Sequence, residues 1–83
     1  MDDRLKRLLY RATHRGTREA DRLVGGFAEA HLQDLDPVAL ERYEALMDES
    51  DVDLVNWILG RNLPYPERHQ AILSQIIDFK NKL

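Results

Sequence analysis

The sequence predicts an all-α fold: a small single-domain bundle of about five helices. Three observations carry that prediction. Apolar residues recur with the 3.6-residue helical period through five segments. No stretch reaches four residues of convincing alternation, so no strand is expected. Each segment is also bracketed by residues that start or stop helices. The 83 residues favour one domain over 1–83. So short a chain buries roughly 60–65% of its unfolded surface, which supports one modest core but no cofactor fold with a deep enclosed active site.

The first helix is predicted over about 3–13, with Leu5, Leu8, Leu9 and Ala12 on one stripe. Asp2 and Asp3 suit its positive end, and Arg11 and His14 suit its negative end. Gly16 is expected to end it by adopting positive φ, with Thr17 restarting the chain as an N-cap. The second helix, about 18–32, turns Ala20, Leu23, Val24, Phe27 and His31 inward. Gly25-Gly26 in its interior costs on the order of 1 kcal/mol each relative to Ala, which points to close packing of a neighbouring helix or to a kink. Asp36-Pro37 restarts the chain with a cap and a first-position proline. The third helix then runs to about residue 48, with Leu40, Tyr43, Leu46 and Met47 inward. Ser50-Asp51-Val52-Asp53 resembles a capping box with Asp in place of Glu. It opens a short fourth helix carrying Leu54, Trp57 and Ile58 inward and stopping at Gly60. Asn62-Leu63-Pro64-Tyr65-Pro66 breaks the chain. A fifth helix, about 66–82, carries Ile72, Ile76, Phe79 and Leu83, flanked by Leu73 and Ile77, and is expected to dock loosely.

Composition excludes several classes. With 43% apolar and 33% charged residues and three prolines, the chain is not disordered by composition. The absence of cysteine removes disulfides, iron–sulfur clusters and thiolate zinc sites. No apolar run approaches the roughly 18–20 residues needed to span a bilayer. The opening Met1-Asp2-Asp3-Arg4 lacks a signal peptide's apolar stretch, so the chain is read as mature protein, with cytoplasmic location expected. Charge is uneven. Residues 1–22 hold seven Lys/Arg against four Asp/Glu, and the remainder holds five against eleven. A basic front on an acidic body suits an acidic protein patch and is a poor nucleic-acid footprint.

Catalytic chemistry finds little support. His14, His31 and His69 form no i,i+4 pair, and Asp51 with Asp53 fits helix capping better than metal binding. Ser50 and Ser74 belong to no nucleophile–His–acid signature. Gly25-Gly26 lacks the spacing of a phosphate-binding loop. Trp57 reads as core beside Leu54 and Ile58. The run Arg4, Lys6, Arg7, Arg11, Arg15, Arg18 and Arg22 reads mostly as a solvated face. What resists this account is Arg15-Gly16-Thr17-Arg18-Glu19 at the joint between the first two helices. Glu19 is explained by the positive helix end, but Arg15 is not. A guanidinium there can offer bidentate hydrogen bonds to a partner, and Gly16 lets a partner's backbone approach. Tyr10, in the first helix, reads equally as part of the same surface or as an ordinary helix residue.

Several strings together carry a resemblance. They are Tyr10-x-x-x-His14-Arg15-Gly16-x-x-Glu19-x-Asp21-x-Leu23, then Phe27, then Tyr43-Glu44-Ala45-Leu46-Met47-Asp48, then Asp51-x-Asp53-Leu54-x-x-Trp57-Ile58-x-Gly60. Over about 8–60 they resemble the SdhE-type succinate dehydrogenase flavinylation assembly factors, leaving the helix at about 66–82 outside the shared core. The resemblance implies a small helical bundle that binds the flavoprotein subunit of succinate dehydrogenase, and in bacteria that of fumarate reductase. It implies promotion of covalent attachment of FAD to a histidine of that subunit. The R-G-x-x-E positions Arg15, Gly16 and Glu19 would face the partner, with Asp21, Tyr10 and His14 as further contacts. No catalytic residue, metal or stably bound cofactor is implied. Two positions depart from the pattern: Thr17 stands where many members carry a larger apolar residue, and His14 replaces a second basic residue. The charge of His14 near neutral pH depends on its surroundings. On this resemblance Glu19→Ala and Gly16→Arg should weaken docking with the fold intact. The free chain is expected to be monomeric and, in a bacterium, cytoplasmic. The alternative is a generic helical interaction or DNA-binding module, with the first two helices mimicking a helix-turn-helix.

Overall fold

A computed structural model describes residues 2–62 and 64–83; Met1 and Leu63, the latter inside the predicted breaker, lie outside the described residues. Helix α1 spans Asp3–Thr13, and the Asp2 carboxylate caps it by accepting from the Leu5 N–H at 2.8 Å. Helix α2 occupies 18–31 and is capped by Thr17, whose hydroxyl accepts from the Ala20 N–H. Helices α3 (Pro37–Leu46) and α4 (Asp51–Ile58) start at Asp36 and Ser50, each capping the N–H three residues on. Helix α5 (Gln70–Asn81) follows a 3-10 turn at Glu67–His69. Four of the five starts therefore rest on a short polar side chain meeting a backbone donor that the helix itself cannot satisfy.

The core is built from one stripe of each helix. Leu8 and Ala12 of α1 meet Leu23, Val24 and Phe27 of α2, Tyr43 and Leu46 of α3, Leu54, Trp57 and Ile58 of α4, and Ile72, Leu73 and Ile76 of α5. Phe27 stacks on Tyr43 with centroids 5.7 Å apart and meets Phe79 edge-on at 5.9 Å. Among the described residues no strand forms and no helix is long and apolar enough to cross a membrane.

Helix α2 departs from the predicted regular helix. Its α-helical ends, Arg18–Ala20 and Gly26–His31, flank a π-helical turn at Asp21–Gly25. The cause lies at Gly25. A Cβ there would stand 2.9 Å from the Ala12 carbonyl and 3.1 Å from the Thr13 Cα, so the backbones of α1 and α2 touch where only glycine fits. The Tyr43 hydroxyl enters the wide turn and donates to the Val24 carbonyl at 2.8 Å. A side chain inserting into the hydrogen-bond ladder is a recognised cause of such turns.

Four expectations need correction. Gly16 does not adopt positive φ; Gly60, at +73°, is the glycine that does, just after α4. The end of α1 is instead marked by His14, whose N–H bonds to the Tyr10 carbonyl. His31 is exposed, its ring edge-on to Phe79. Leu83 is exposed beyond the end of α5. Helix α5 is not loosely docked, because Ile72, Leu73 and Ile76 are fully buried and His69 beside it is 2% exposed.

Candidate functional site

The joint between α1 and α2 is held by two carboxylates acting on successive backbone donors. The Arg15 N–H donates to Asp21 Oδ1 at 2.6 Å, and the Gly16 N–H donates to Asp51 Oδ2 at 2.6 Å. The Arg15 side chain then turns away from solvent, with 11% of its side-chain surface exposed. Its Nε donates to Asp51 Oδ1 at 2.7 Å, Nη1 to the Met47 carbonyl at 2.9 Å and Nη2 to the Glu49 carbonyl at 2.8 Å. One guanidinium thus closes the loop between α3 and α4 onto the joint. The planar fork suits this task because its donors diverge at fixed angles.

Asp51 is the counterpart that sequence reasoning assigned to capping alone. Ser50 already caps α4, so the adjacent carboxylate is free to take Arg15 and Gly16. Partial burial pushes the Asp51 pKa up, but the hydrogen bonds from Arg15 and Gly16 and the Arg15 charge outweigh it, leaving the group below its ordinary value. The available signal was a second carboxylate beside a cap that needs only one. Gly16 has a matching explanation: a Cβ there would stand 3.0 Å from Asp51 Oδ2. Its small size serves an internal contact, so Gly16→Arg presses on the Arg15 socket and is not a pure surface change.

The same loop is gripped from its far side. The carboxylate of Glu49 meets the buried His69 Nε2 at 2.6 Å and accepts from Arg68 Nη2 at 3.1 Å. The His69 hydrogen bond leads in holding the Glu49 pKa below its usual value, against a smaller opposing effect of burial. His69 packs 5.8 Å from Trp57. Among the described residues no three metal-ligating side chains converge.

The six predicted contact residues divide into two groups. Arg15 and Asp21 are spent on internal hydrogen bonds, as is the Gly16 N–H. Tyr10, His14 and Glu19 are exposed. Tyr10, 63% exposed, stacks on His14 with ring centroids 3.8 Å apart and planes 14° apart. His14 Nδ1 lies 3.0 Å from the Tyr10 carbonyl. Tyr10, His14, Gly16 and Asp51 line one shallow cleft, and Glu19 lines its neighbour. The basic run is partly neutralised by α3 and the turn after it, with Arg4 on Glu44 at 3.0 Å and Arg11 on Asp48 at 2.8 Å. The apolar stripe of α2 is buried against the other helices, so α2 is not presented as a free recognition helix.

The fold and site define a class: a small all-α bundle with a hydrogen-bonded, solvent-facing joint between its first two helices. Comparison with known proteins supplies the family. A family model described as flavinator of succinate dehydrogenase matches residues 6–80, and the chain belongs to that family. The match runs through most of α5, further than the resemblance read over 8–60. The chain is 44% identical over 64 residues to the FAD assembly factor SdhE of Acetobacter pasteurianus, covering 77% of this chain and 58% of the relative. It is 36% identical over 83 residues to the mitochondrial succinate dehydrogenase assembly factor 2 of Candida glabrata, covering 95% and 54%. The same-named protein of Dictyostelium discoideum is 33% identical over 72 residues, covering 87% and 50%. The chain spans about half the length of the curated relatives it matches.

Proposed function

We propose that this chain binds the flavoprotein subunit of succinate dehydrogenase, and in a bacterium also that of fumarate reductase. There it promotes covalent attachment of FAD to a histidine of that subunit. It works as an assembly factor and not as an enzyme: the FAD belongs to the flavoprotein, and the new bond forms within it. The observation that carries this reading is the family match over 6–80, which contains the whole joint together with the exposed Tyr10, His14 and Glu19.

The geometry suits such a role. Carboxylates fix the backbone at 15 and 16, and the Arg15 fork fixes the loop behind it. A surface already held in one shape loses little freedom on docking. A partner held with its histidine against the isoalloxazine methyl gains several kcal/mol from orientation alone, without a catalytic group in the helper. The test is to delete the gene and follow covalent flavin on the flavoprotein subunit in a denaturing gel. Loss of the fluorescent band supports the reading, and an unchanged band overturns it. Glu19→Ala changes an exposed residue and is expected to lower flavinylation while leaving the melting curve in place.

A further inference from the structure

Two clefts open on either side of the Asp51 carboxylate, which lines both. The first, about 350 Å³, holds the joint residues Tyr10, His14 and Gly16. The second, about 320 Å³, lies between the start of α2 and the outer face of α4 and is lined by Thr17, Glu19, Asp51, Val52, Val55 and Asn56. Val52 is 68% exposed, and Val55, one helical turn on, is half-buried behind it. A single exposed valine means nothing by itself. The chemistry around these two is more specific. Both Asp51 oxygens are occupied by Arg15 and Gly16, and the Thr17 hydroxyl is occupied by the Ala20 N–H. Glu19 has neither an ion pair nor a side-chain hydrogen bond among the described residues. The cleft therefore offers valine methyls, the Asn56 amide and one carboxylate without an ion pair among the described residues, and it meets the joint at Asp51.

We infer that this second cleft is the other half of the docking surface and receives a flavoprotein segment bearing an apolar side chain beside a Lys or Arg. The apolar group covers Val52 and Val55, and the cation pairs with Glu19. The inference rests on the function proposed above and adds α4 to the surface. Helix α4 reaches the joint through Asp51, which takes both the Arg15 guanidinium and the Gly16 N–H and so ties the two clefts together. Charge complementarity decides the partner's polarity, because Arg15 already neutralises Asp51 and leaves Glu19 as the anion to be met.

The structure supplies its own control for the test. Val38 is 67% exposed and holds the same place in α3, second after the cap, that Val52 holds in α4. A carboxylate in the first turn is favourable at either position, so Val52→Asp and Val38→Asp both keep the helix start. The purified flavoprotein subunit is titrated with wild type, with each variant and with Glu19→Gln, and melting curves are taken alongside. Val52→Asp is expected to weaken binding by about tenfold or more, as for a central interface contact, while Val38→Asp stays within about twofold. Glu19→Gln is expected to weaken binding and to flatten its salt dependence. Wild-type affinity in Val52→Asp, with the wild type itself binding, overturns the inference and leaves the proposed function standing. No binding by the wild type overturns the proposed function and the inference with it. If Val52→Asp melts below Val38→Asp, Val52→Ser decides: weakened binding supports the inference, and unchanged binding overturns it.

Discussion

Arg15→Ala is the change that most directly tests how the joint is built. It removes three charge-assisted hydrogen bonds, to the Asp51 carboxylate and to the Met47 and Glu49 carbonyls. Each hydrogen bond to a charged group contributes about 1.5–3 kcal/mol. The guanidinium keeps an 11% exposed edge, and the released carbonyls regain water, which discounts the total to about 3 kcal/mol. For a domain of this size each kcal/mol shifts the melting temperature by about 4–8 °C, so a fall of about 12–24 °C is expected. Arg15→Lys keeps the charge but cannot reach three diverging acceptors, and roughly half that loss is expected. A double-mutant cycle with Asp51→Ala should give a coupling of about 1–2 kcal/mol. The assay is thermal denaturation of wild type, Arg15→Ala, Arg15→Lys, Asp51→Ala and the double mutant, with docking measured well below every midpoint. A melting temperature within about 4 °C of wild type, combined with abolished docking, would refute the reasoning. It would make Arg15 a contact group and not an internal clamp.

The two adjacent glycines should answer oppositely to alanine. Gly25→Ala drives a Cβ into the α1 backbone and should cost about 1–3 kcal/mol, whereas Gly26→Ala meets only the Phe79 ring at 3.7 Å and should gain up to about 1 kcal/mol. Urea midpoints of both variants check this. Tyr43→Phe leaves the Val24 carbonyl without its buried donor and should cost about 1–3 kcal/mol by the same measurement. Burial also pushes the Tyr43 phenol pKa up, so its ultraviolet ionisation signal should appear only on alkaline unfolding. On the acid side, Asp51 and Glu49 are both held below their ordinary pKa values. A depressed carboxylate adds stability that is present above its unfolded value, about pH 4–4.5, and is lost as pH falls through the folded value. Unfolding midpoints measured from pH 6 to pH 3 should fall for wild type and fall less steeply for Asp51→Asn; identical slopes would remove Asp51 from the account.

Much of the fold was legible because its signals are local. Thr17, Asp36 and Ser50 each cap a donor three residues away, and α1 occupies its predicted span. The Leu54, Trp57 and Ile58 stripe followed from period alone. The joint was found as an oddity but explained incompletely, because its partners are remote in sequence. Gly16 is small on account of Asp51, thirty-five residues later, and Arg15 reaches Met47, Glu49 and Asp51. The π turn was hidden for the same reason: Gly25 announces close packing, but not that a tyrosine from another helix enters the ladder. His69 offered no pattern at all, since its partner Glu49 lies twenty residues earlier in a loop. Val52 and Val55 lay beside the inward stripe of α4, and their spacing alone did not say that they face a cleft.

The loop between α3 and α4 is clasped by residues from both ends of the chain. Arg15 holds its carbonyls and Asp51, while Arg68 and His69 hold the Glu49 side chain. Its final shape therefore exists only after the first and last thirds of the sequence have met in space. A ribosome-bound chain that has emerged only as far as α4 has the whole motif but not the second clasp. The exposed joint is thus complete in sequence before it is complete in structure: its loop gains the Glu49 clasp only when residues 68 and 69 have emerged and packed against it.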